Sequence, residues 1–179
     1  MRRSLFLVVV LLAAGCDQGS KWLAVEALTE VDSLSGFLVE QHPVVVRELV
    51  VHPDYFHLRY AENTGMAFSL LSEVPQGRAL LLVSGSLGML LVLGLAWRIR
   101  DRWALLGCAL ICGGGIGNLL DRARLGYVID FVSWHYREQF VWPTFNVADA
   151  LLLVGGVLLA LRWDRTDGPW PRMGTRLGS

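Results

Sequence analysis

Residues 79–97 read ALLLVSGSLGMLLVLGLAW, and this stretch decides the fold class because its nineteen residues carry no charge. A helix needs about 20 mostly apolar residues to cross the ~30 Å hydrocarbon core of a bilayer at 1.5 Å per residue. Residues 103–120, WALLGCALICGGGIGNLL, are one residue shorter and have the same apolar character. Both stretches therefore predict membrane-spanning helices.

Two further apolar segments, residues 4–27 and 147–163, contain a few ionisable side chains. They can also span a bilayer if those side chains face the helix bundle or lie at its ends. The composition agrees, with 54% hydrophobic and 18% charged residues and a mean hydropathy of +0.46, against roughly 25% charged residues in soluble domains. The sequence predicts an all-α membrane protein with four transmembrane helices in one domain, residues 1–165, and a flexible cytoplasmic tail, residues 166–179.

The amino-terminal stretch MRRSLFLVVVLLAAGC is similar to a bacterial lipoprotein signal that is cut before Cys16. Three more membrane segments follow, whereas a soluble domain follows an ordinary signal of this kind. Ala13 also stands where such signals have a large aliphatic residue. We therefore predict that the segment is retained as the first helix. The alternative is a lipoprotein with an interaction domain.

Arginines predict the topology, because short loops rich in arginine stay in the cytoplasm. One group precedes the first helix, one joins the second to the third, and one follows the fourth: Arg2, Arg3, Arg98, Arg100, Arg102, Arg162, Arg165, Arg172 and Arg176. We expect both termini in the cytoplasm and residues 28–78 and 121–145 on the outer side.

The first outer segment is rich in β-branched and aromatic residues in VVVRELVV, residues 44–51, and YFHLRYA, residues 55–61. Pro53 and Asp54 between them are typical of a turn. We expect two short strands, forming a small extracytoplasmic β-cradle between helices 1 and 2. The apolar MAFSLL, residues 66–71, is expected at the membrane interface.

Three aspartates, Asp121, Asp130 and Asp149, are predicted at the outer membrane boundary, with Asn118 and Asn146 beside them. Two carboxyl groups in a poorly solvated site share a proton, so that one can activate a water while the other polarises a carbonyl. That arrangement hydrolyses peptides without a metal. The alternatives are that the aspartates pair with arginines and cap helices, or that they relay protons in a small transporter or ion-binding bundle.

Other classes of site find little support. The four histidines lack metal-ligand spacing, and Cys108 and Cys112 lie four apart in an apolar helix, which favours packing over zinc. The glycines of GGGIGN favour close helix packing over a dinucleotide loop. Zero formal net charge gives no indication of nucleic-acid binding. Asp17 and Lys21 are spaced for an i,i+4 ion pair that ties the first helix to its neighbours.

Four motifs in order resemble the bacterial lipoprotein signal peptidase family, also called signal peptidase II. They are DQGSKWLA (17–24), ENTGMAFSLL (62–71), GGGIGNLLDRARLGYVIDFV (113–132) and FNVADA (145–150). The resemblance implies an aspartic peptidase of the cytoplasmic membrane, which cuts prolipoproteins on the amino side of a diacylglyceryl-modified cysteine. Its inhibitor is globomycin.

The resemblance also implies roles for individual residues. Asp130 and Asp149 would be the catalytic pair, and Asn63 and Gly65 would contact substrate. The remaining matched positions are supporting ones: Asn118, Asp121, Arg122 and Asn146 in the site, and Asp17 and Lys21 in a structural role or at its rim. No cofactor or metal is expected, the partners are membrane lipid and prolipoproteins, and the chain is expected to be a monomer. The segment between Lys21 and Asn63 is longer than usual for the family.

Overall fold

The computed structural model describes residues 3–30, 45–65, 77–137 and 139–163. Its four helices are α1 (Arg3–Leu28), α2 (Gly77–Arg98), α3 (Arg102–Arg124) and α4 (Val147–Leu161). The first three are long and apolar enough to cross a membrane, and α4 is a shorter apolar helix of 15 residues. The four predicted helices are therefore present. Helix α3 runs four residues past its predicted end, so Asp121 lies in its last turn.

Helix α3 is the centre of the bundle and packs against all three other helices. Small residues allow close approach to α4, since a Cβ added at Gly107 would lie 2.7 Å from the carbonyl oxygen of Gly155. The reverse contact is equally tight, because a Cβ at Gly155 would lie 2.6 Å from the Gly107 oxygen. Helices without larger side chains between them gain backbone contact in lipid. The glycine-rich sequence of α3 thus serves packing, as predicted.

Helix α2 differs from the others because none of its residues is buried. It packs against α3, and large side chains such as Leu87 and Leu91 remain exposed. In a bilayer these side chains contact lipid, so their exposure is favourable. Among the described helices, α2 therefore makes the fewest contacts with the rest of the protein.

A β-sheet lies beyond the ends of α1 and α3. A two-residue strand β1 (Thr29–Glu30) pairs with β2 (Val45–Val46). Four antiparallel strands follow in the order β3-β4-β5-β6, with bounds Glu48–His52, Phe56–Asn63, Val128–Tyr136 and Phe140–Val141. The strands predicted within residues 44–51 and 55–61 are confirmed.

The predicted fold class is confirmed only in part. Strands also occur outside the segment between α1 and α2, so the sheet is larger than the small cradle expected there. Its longest strand, β5, and its partner β6 come from between α3 and α4. Residues 128–131 are buried on both faces, so the strand lacks the apolar–polar alternation by which a half-buried strand is recognised.

The register of β4 and β5 divides the sheet into two faces. Ile129 and Phe131 pack on Ala24 and Leu28 of α1, in a cluster completed by Tyr60. Because successive side chains in a strand alternate, the intervening Asp130 points the opposite way. The sheet is thus anchored on α1 while presenting one aspartate toward the ends of α3 and α4. Residues 66–71, the tail after residue 163, and residues 31–44 of the longer segment lie outside the described residues.

Candidate active site

Asp130 and Asp149 are brought together by Asn146, which is fully buried at the N-cap of α4. Phe145 forms an isolated bridge with Val132, and this contact places Asn146 beside β5. The Asn146 Nδ2 atom donates to Asp130 Oδ1 at 2.6 Å, and its backbone N–H donates to Asp149 Oδ2 at 3.2 Å. One residue therefore contacts both carboxyl groups.

The same asparagine begins α4 with a reciprocal capping box. Its Oδ1 accepts from the Asp149 backbone N–H at 3.0 Å, while Asp149 accepts from the Asn146 backbone. Capping satisfies N–H groups that the first turn of a helix leaves without partners. The interpretation of Asp149 as a helix-capping residue and its proximity to Asp130 are therefore both correct descriptions of the geometry.

Asn63 at the end of β4 holds the second oxygen of Asp130. Its Nδ2 donates to Asp130 Oδ2 at 2.9 Å, and its Oδ1 accepts from the Gly65 backbone N–H at 2.8 Å. Gly65 has a φ of 97°, in the left-handed region that favours glycine. The turn thereby fixes which end of the Asn63 amide faces the aspartate.

Burial raises the pKa of Asp130, which is 1% exposed, from its ordinary 3.8 to about 6. The hydrogen bond from Asn63 opposes this rise, and the charge of Asp149 adds to it. A desolvated carboxyl beside a second carboxylate holds its proton more tightly than one in water. The structure accordingly favours the protonated form of Asp130 relative to an aspartate in water.

Lys21, the chain's only lysine, lies behind this pair and is 2% exposed. Its Nζ atom is 2.8 Å from Asp17 Oδ2, 2.8 Å from Asp121 Oδ2 and 3.0 Å from Asn118 Oδ1. The three ammonium protons thus have three acceptors. The predicted i,i+4 ion pair is confirmed. Because both side chains are buried, the pair fits the structural role expected for it rather than a place at the rim of the site.

The ammonium group also determines how Asn118 faces the site. Lys21 can only donate, so the amide oxygen of Asn118 must point to it and the amide NH₂ must point away. That NH₂ donates to Asp149 Oδ1 at 2.9 Å, while the oxygen also accepts from Asn146 Nδ2 at 3.2 Å. Lys21 therefore acts on both aspartates through the two asparagines.

The two acidic partners of Lys21 each support another element. Asp17 Oδ1 accepts from the backbone N–H of Ala148 at 2.9 Å, so α1 caps the start of α4. Asp121 accepts from the backbone N–H of Ile129 at 3.2 Å, which ties the end of α3 to β5. Gly117 makes this arrangement possible, because a Cβ there would collide with the Asp17 carboxylate.

Arg122 is half-buried next to the site. Its Nη1 donates to the backbone oxygen of Asn118 at 3.4 Å, and its Nε is buried with no hydrogen-bond partner among the described residues. The predicted alternative of ion pairs from Arg122 and Arg124 to Asp121, Asp130 and Asp149 does not occur within the described parts of the chain. Of these three aspartates, Asp121 is the one that pairs with Lys21.

A groove of about 470 Å³ lies next to the site, between α2, α3 and α4. Asp149 and Arg122 lie at one end of it, and Gly85 and Gly88 of α2 form part of its wall. Within the segments that the structure describes, no group of three or more candidate metal ligands occurs. The site thus brings two carboxyl groups together beside a largely apolar groove.

Two residues of the network were missed by sequence reasoning. Gln18 donates to Asp121 Oδ1 at 2.9 Å and to the Gly117 carbonyl at 3.2 Å, so it joins α1 to α3. Its place beside Asp17, on the buried side of α1, was the available signal. Gly117 was assigned only to general packing, because its contact with Asp17 depends on the relative placement of two distant segments.

The sequence of this chain matches a family of known proteins. The family model for signal peptidase (SPase) II matches residues 8–163. The lipoprotein signal peptidase of Pseudomonas syringae pv. tomato is 38% identical over 143 residues, covering 78% of this chain and 82% of that protein. The lipoprotein signal peptidase of an Anaeromyxobacter species is 38% identical over 175 residues, covering 88% and 82%.

The fold is also similar to solved structures. A bacterial membrane enzyme determined by the in meso method at 2.3 Å aligns with a TM-score of 0.68 and 19% identity, covering 91% of this chain and 89% of the other. A second such structure, at 1.9 Å, aligns with a TM-score of 0.66 and 20% identity, covering 90% and 93%. At these identities the similarity concerns the fold.

Proposed function

The chain belongs to the signal peptidase II family of aspartic peptidases, and from this premise we propose that Asp130 and Asp149 are its catalytic pair. The reaction of the family is cleavage of signal peptides from prolipoproteins. The observation that carries the assignment is the contact of Asn146 with both carboxyl groups. Because the chain belongs to this family, we no longer consider the alternatives of a small transporter and of a lipoprotein with an interaction domain.

In the proposed mechanism, Asp149 is ionised and Asp130 is protonated when substrate binds. Asp149 takes a proton from a water, whose oxygen bonds to the scissile carbonyl carbon, while Asp130 gives its proton to the carbonyl oxygen. The tetrahedral intermediate then breaks its C–N bond. Asp149 returns its proton to the leaving nitrogen, and Asp130 regains one from the hydroxyl. The raised pKa of Asp130 supports this division of roles.

The surrounding donors keep the two aspartates in place for these steps. Asn118 and the backbone of Asn146 donate to the two oxygens of Asp149 and fix the orientation of its carboxyl group. The hydrogen bond from Asn63 fixes the orientation of the Asp130 carboxyl group. Asn63 and Gly65 form the turn that meets substrate, and the buried Arg122 Nε is available for a carbonyl of the bound peptide. An apolar signal helix fits the groove between α2, α3 and α4.

The location of the enzyme is part of the same proposal. We propose a single peptidase domain, residues 1–165, in the bacterial cytoplasmic membrane, with both termini in the cytoplasm, residues 166–179 as a flexible tail there, and the site near the outer face. The substrate is a prolipoprotein cut before its diacylglyceryl-modified cysteine. The enzyme works as a monomer, in contact with lipid, and is inhibited by globomycin.

The test is cleavage of a synthetic diacylglyceryl-modified precursor by the full chain in detergent or bicelles. Asp130→Asn and Asp149→Asn are each expected to lower kcat by at least about 10³-fold, because each removes one proton-transfer group. Asp54→Asn, on the exposed β3–β4 turn, is the matched control and should retain full activity. Substantial turnover by either site variant, or globomycin-resistant cleavage by the wild type, would refute the assignment.

A further inference from the structure

A second cavity lies at the other end of the bundle from the aspartates. It measures about 770 Å³ and is lined by α1, by α2, by the connection between α2 and α3, and by Leu105 of α3. Its walls are apolar, formed by residues such as Phe6 and Leu7 of α1 and Leu93 and Ala96 of α2. Its volume falls within the range of about 300–1,000 Å³ that is typical of small-molecule sites.

Two arginines are the charged residues of this lining: Arg3 at the start of α1 and Arg100 in the connection. Arg3 stacks on the Trp97 ring, with its Cζ atom 3.8 Å from the ring centroid. Stacking holds the guanidinium plane and leaves its edge, which carries the N–H donors, available to an anion. In the described parts of the chain neither arginine forms an ion pair, and no carboxylate lines the cavity.

We propose that this cavity binds one anionic phospholipid, with the phosphate at Arg3 and Arg100 and an acyl chain against the apolar walls. The chemistry favours a lipid over a free anion, because most of the lining is apolar and opens among helices that cross the bilayer. Basic pockets between transmembrane helices on the cytoplasmic side are suited to acidic head groups. The site is separate from the carboxyl pair, since eighteen residues of α1 separate Arg3 from Lys21, about 27 Å along a helix.

The lipid would also connect two helices that otherwise share few contacts. Helix α2 buries none of its residues and packs chiefly on α3, while the Arg3–Trp97 contact joins its end to α1. A bound lipid adds contacts to both helices in the folded state only, so it should raise the thermal stability of the protein.

The experiment uses the full chain, purified in an uncharged detergent, with palmitoyl-oleoyl phosphatidylglycerol and phosphatidylcholine as probes. Native mass spectrometry measures retained lipid, and Tm is recorded at each lipid concentration. Phosphatidylglycerol should bind as a single retained molecule, at least about tenfold more tightly than phosphatidylcholine, and should raise Tm. Inorganic phosphate at the same concentration should leave Tm unchanged.

The variants separate this cavity from general attraction to a basic surface. Arg3→Gln with Arg100→Gln should weaken phosphatidylglycerol binding about thirtyfold, equivalent to about 2 kcal/mol for two arginines. Arg98→Gln with Arg102→Gln removes the same charge at the same end of the bundle, outside the cavity lining, and should preserve binding. Ala96→Phe fills the cavity without changing charge and should abolish retention of the lipid.

Circular dichroism of each variant checks that the helices are intact, so loss of lipid is not confused with loss of fold. Equal binding of the two lipids, equal loss in the two arginine pairs, or full retention by Ala96→Phe would each overturn the proposal. A Tm rise with inorganic phosphate alone would do so as well, because it would identify a simple anion site.

Discussion

Replacing Asp130 by Asn should change how the stability of the protein depends on pH. The pKa of Asp130 is raised from 3.8 to about 6, mainly by burial. Because the folded state binds this proton more tightly than the unfolded state, its contribution is present at low pH and is lost as pH rises from about 4 to about 6. The loss corresponds to about 3 kcal/mol, because a difference of one in pKa between the folded and unfolded states is worth about 1.36 kcal/mol.

Asparagine has nearly the shape of a protonated aspartate and does not titrate, so Asp130→Asn should lack this dependence. Relative to wild type, the variant should therefore be about 3 kcal/mol more favourable at pH 7 than at pH 4. The assay is reversible unfolding in mixed micelles, followed by circular dichroism at closely spaced pH values. The difference between the two proteins should develop between pH 4 and pH 6.

The control is Asp54→Asn on the exposed turn, whose curve should run parallel to that of the wild type. Parallel curves for the wild type and Asp130→Asn would refute the link between the burial of Asp130 and the stability of the protein. A difference that grows toward low pH would refute it equally, since that is the behaviour of an aspartate whose pKa is lowered on folding.

Four further substitutions, one of them a control, test the network behind the aspartates. Lys21→Met should lower the free energy of unfolding by about 3–5 kcal/mol in denaturant titration, because two buried carboxylates lose their cation; a loss below about 1 kcal/mol would contradict the network. Gly117→Ala should cost about 1–3 kcal/mol and most of the activity, since its Cβ meets the Asp17 carboxylate. Gly94→Ala on α2, where nothing lies within 4 Å of an added Cβ, is the control and should lower neither the activity nor the free energy of unfolding. Asn146→Ala should lower Tm through the loss of an N-cap worth about 1 kcal/mol, and it should lower kcat by more than this loss of stability explains. If a variant elsewhere in the chain with the same fall in Tm lost as much kcat, the positioning role of Asn146 would be contradicted.

The membrane helices were predictable because apolar length alone identifies them, and the helix bounds differ by a few residues at most. The sheet was predictable only in part. Strands β3 and β4 carry a turn and β-branched residues, whereas the inner half of β5 is buried on both faces and has no alternating pattern. Its pairing partner, β4, is also far away in the sequence, so no turn between the two strands indicates that they pair.

The order of the motifs in the sequence identified the candidate site residues. It did not identify the side-chain contacts that these residues make with one another. The sequence spacing of Asp17 and Lys21 predicts their mutual ion pair, which local helix geometry is sufficient to form. The contact of Lys21 with Asp121 requires α1 to lie against α3 at one particular rotation. Such contacts depend on helix packing, which periodicity alone does not determine.

The burial of the chain's only lysine has a practical consequence for handling the protein. A reagent that acylates side-chain amines has no accessible lysine in the folded enzyme, because Lys21 is 2% exposed and surrounded by acceptors. Modification of Lys21 then requires the bundle to open around α1. The extent of its acylation, read by peptide mass spectrometry, would serve as an intrinsic reporter of opening without any introduced label.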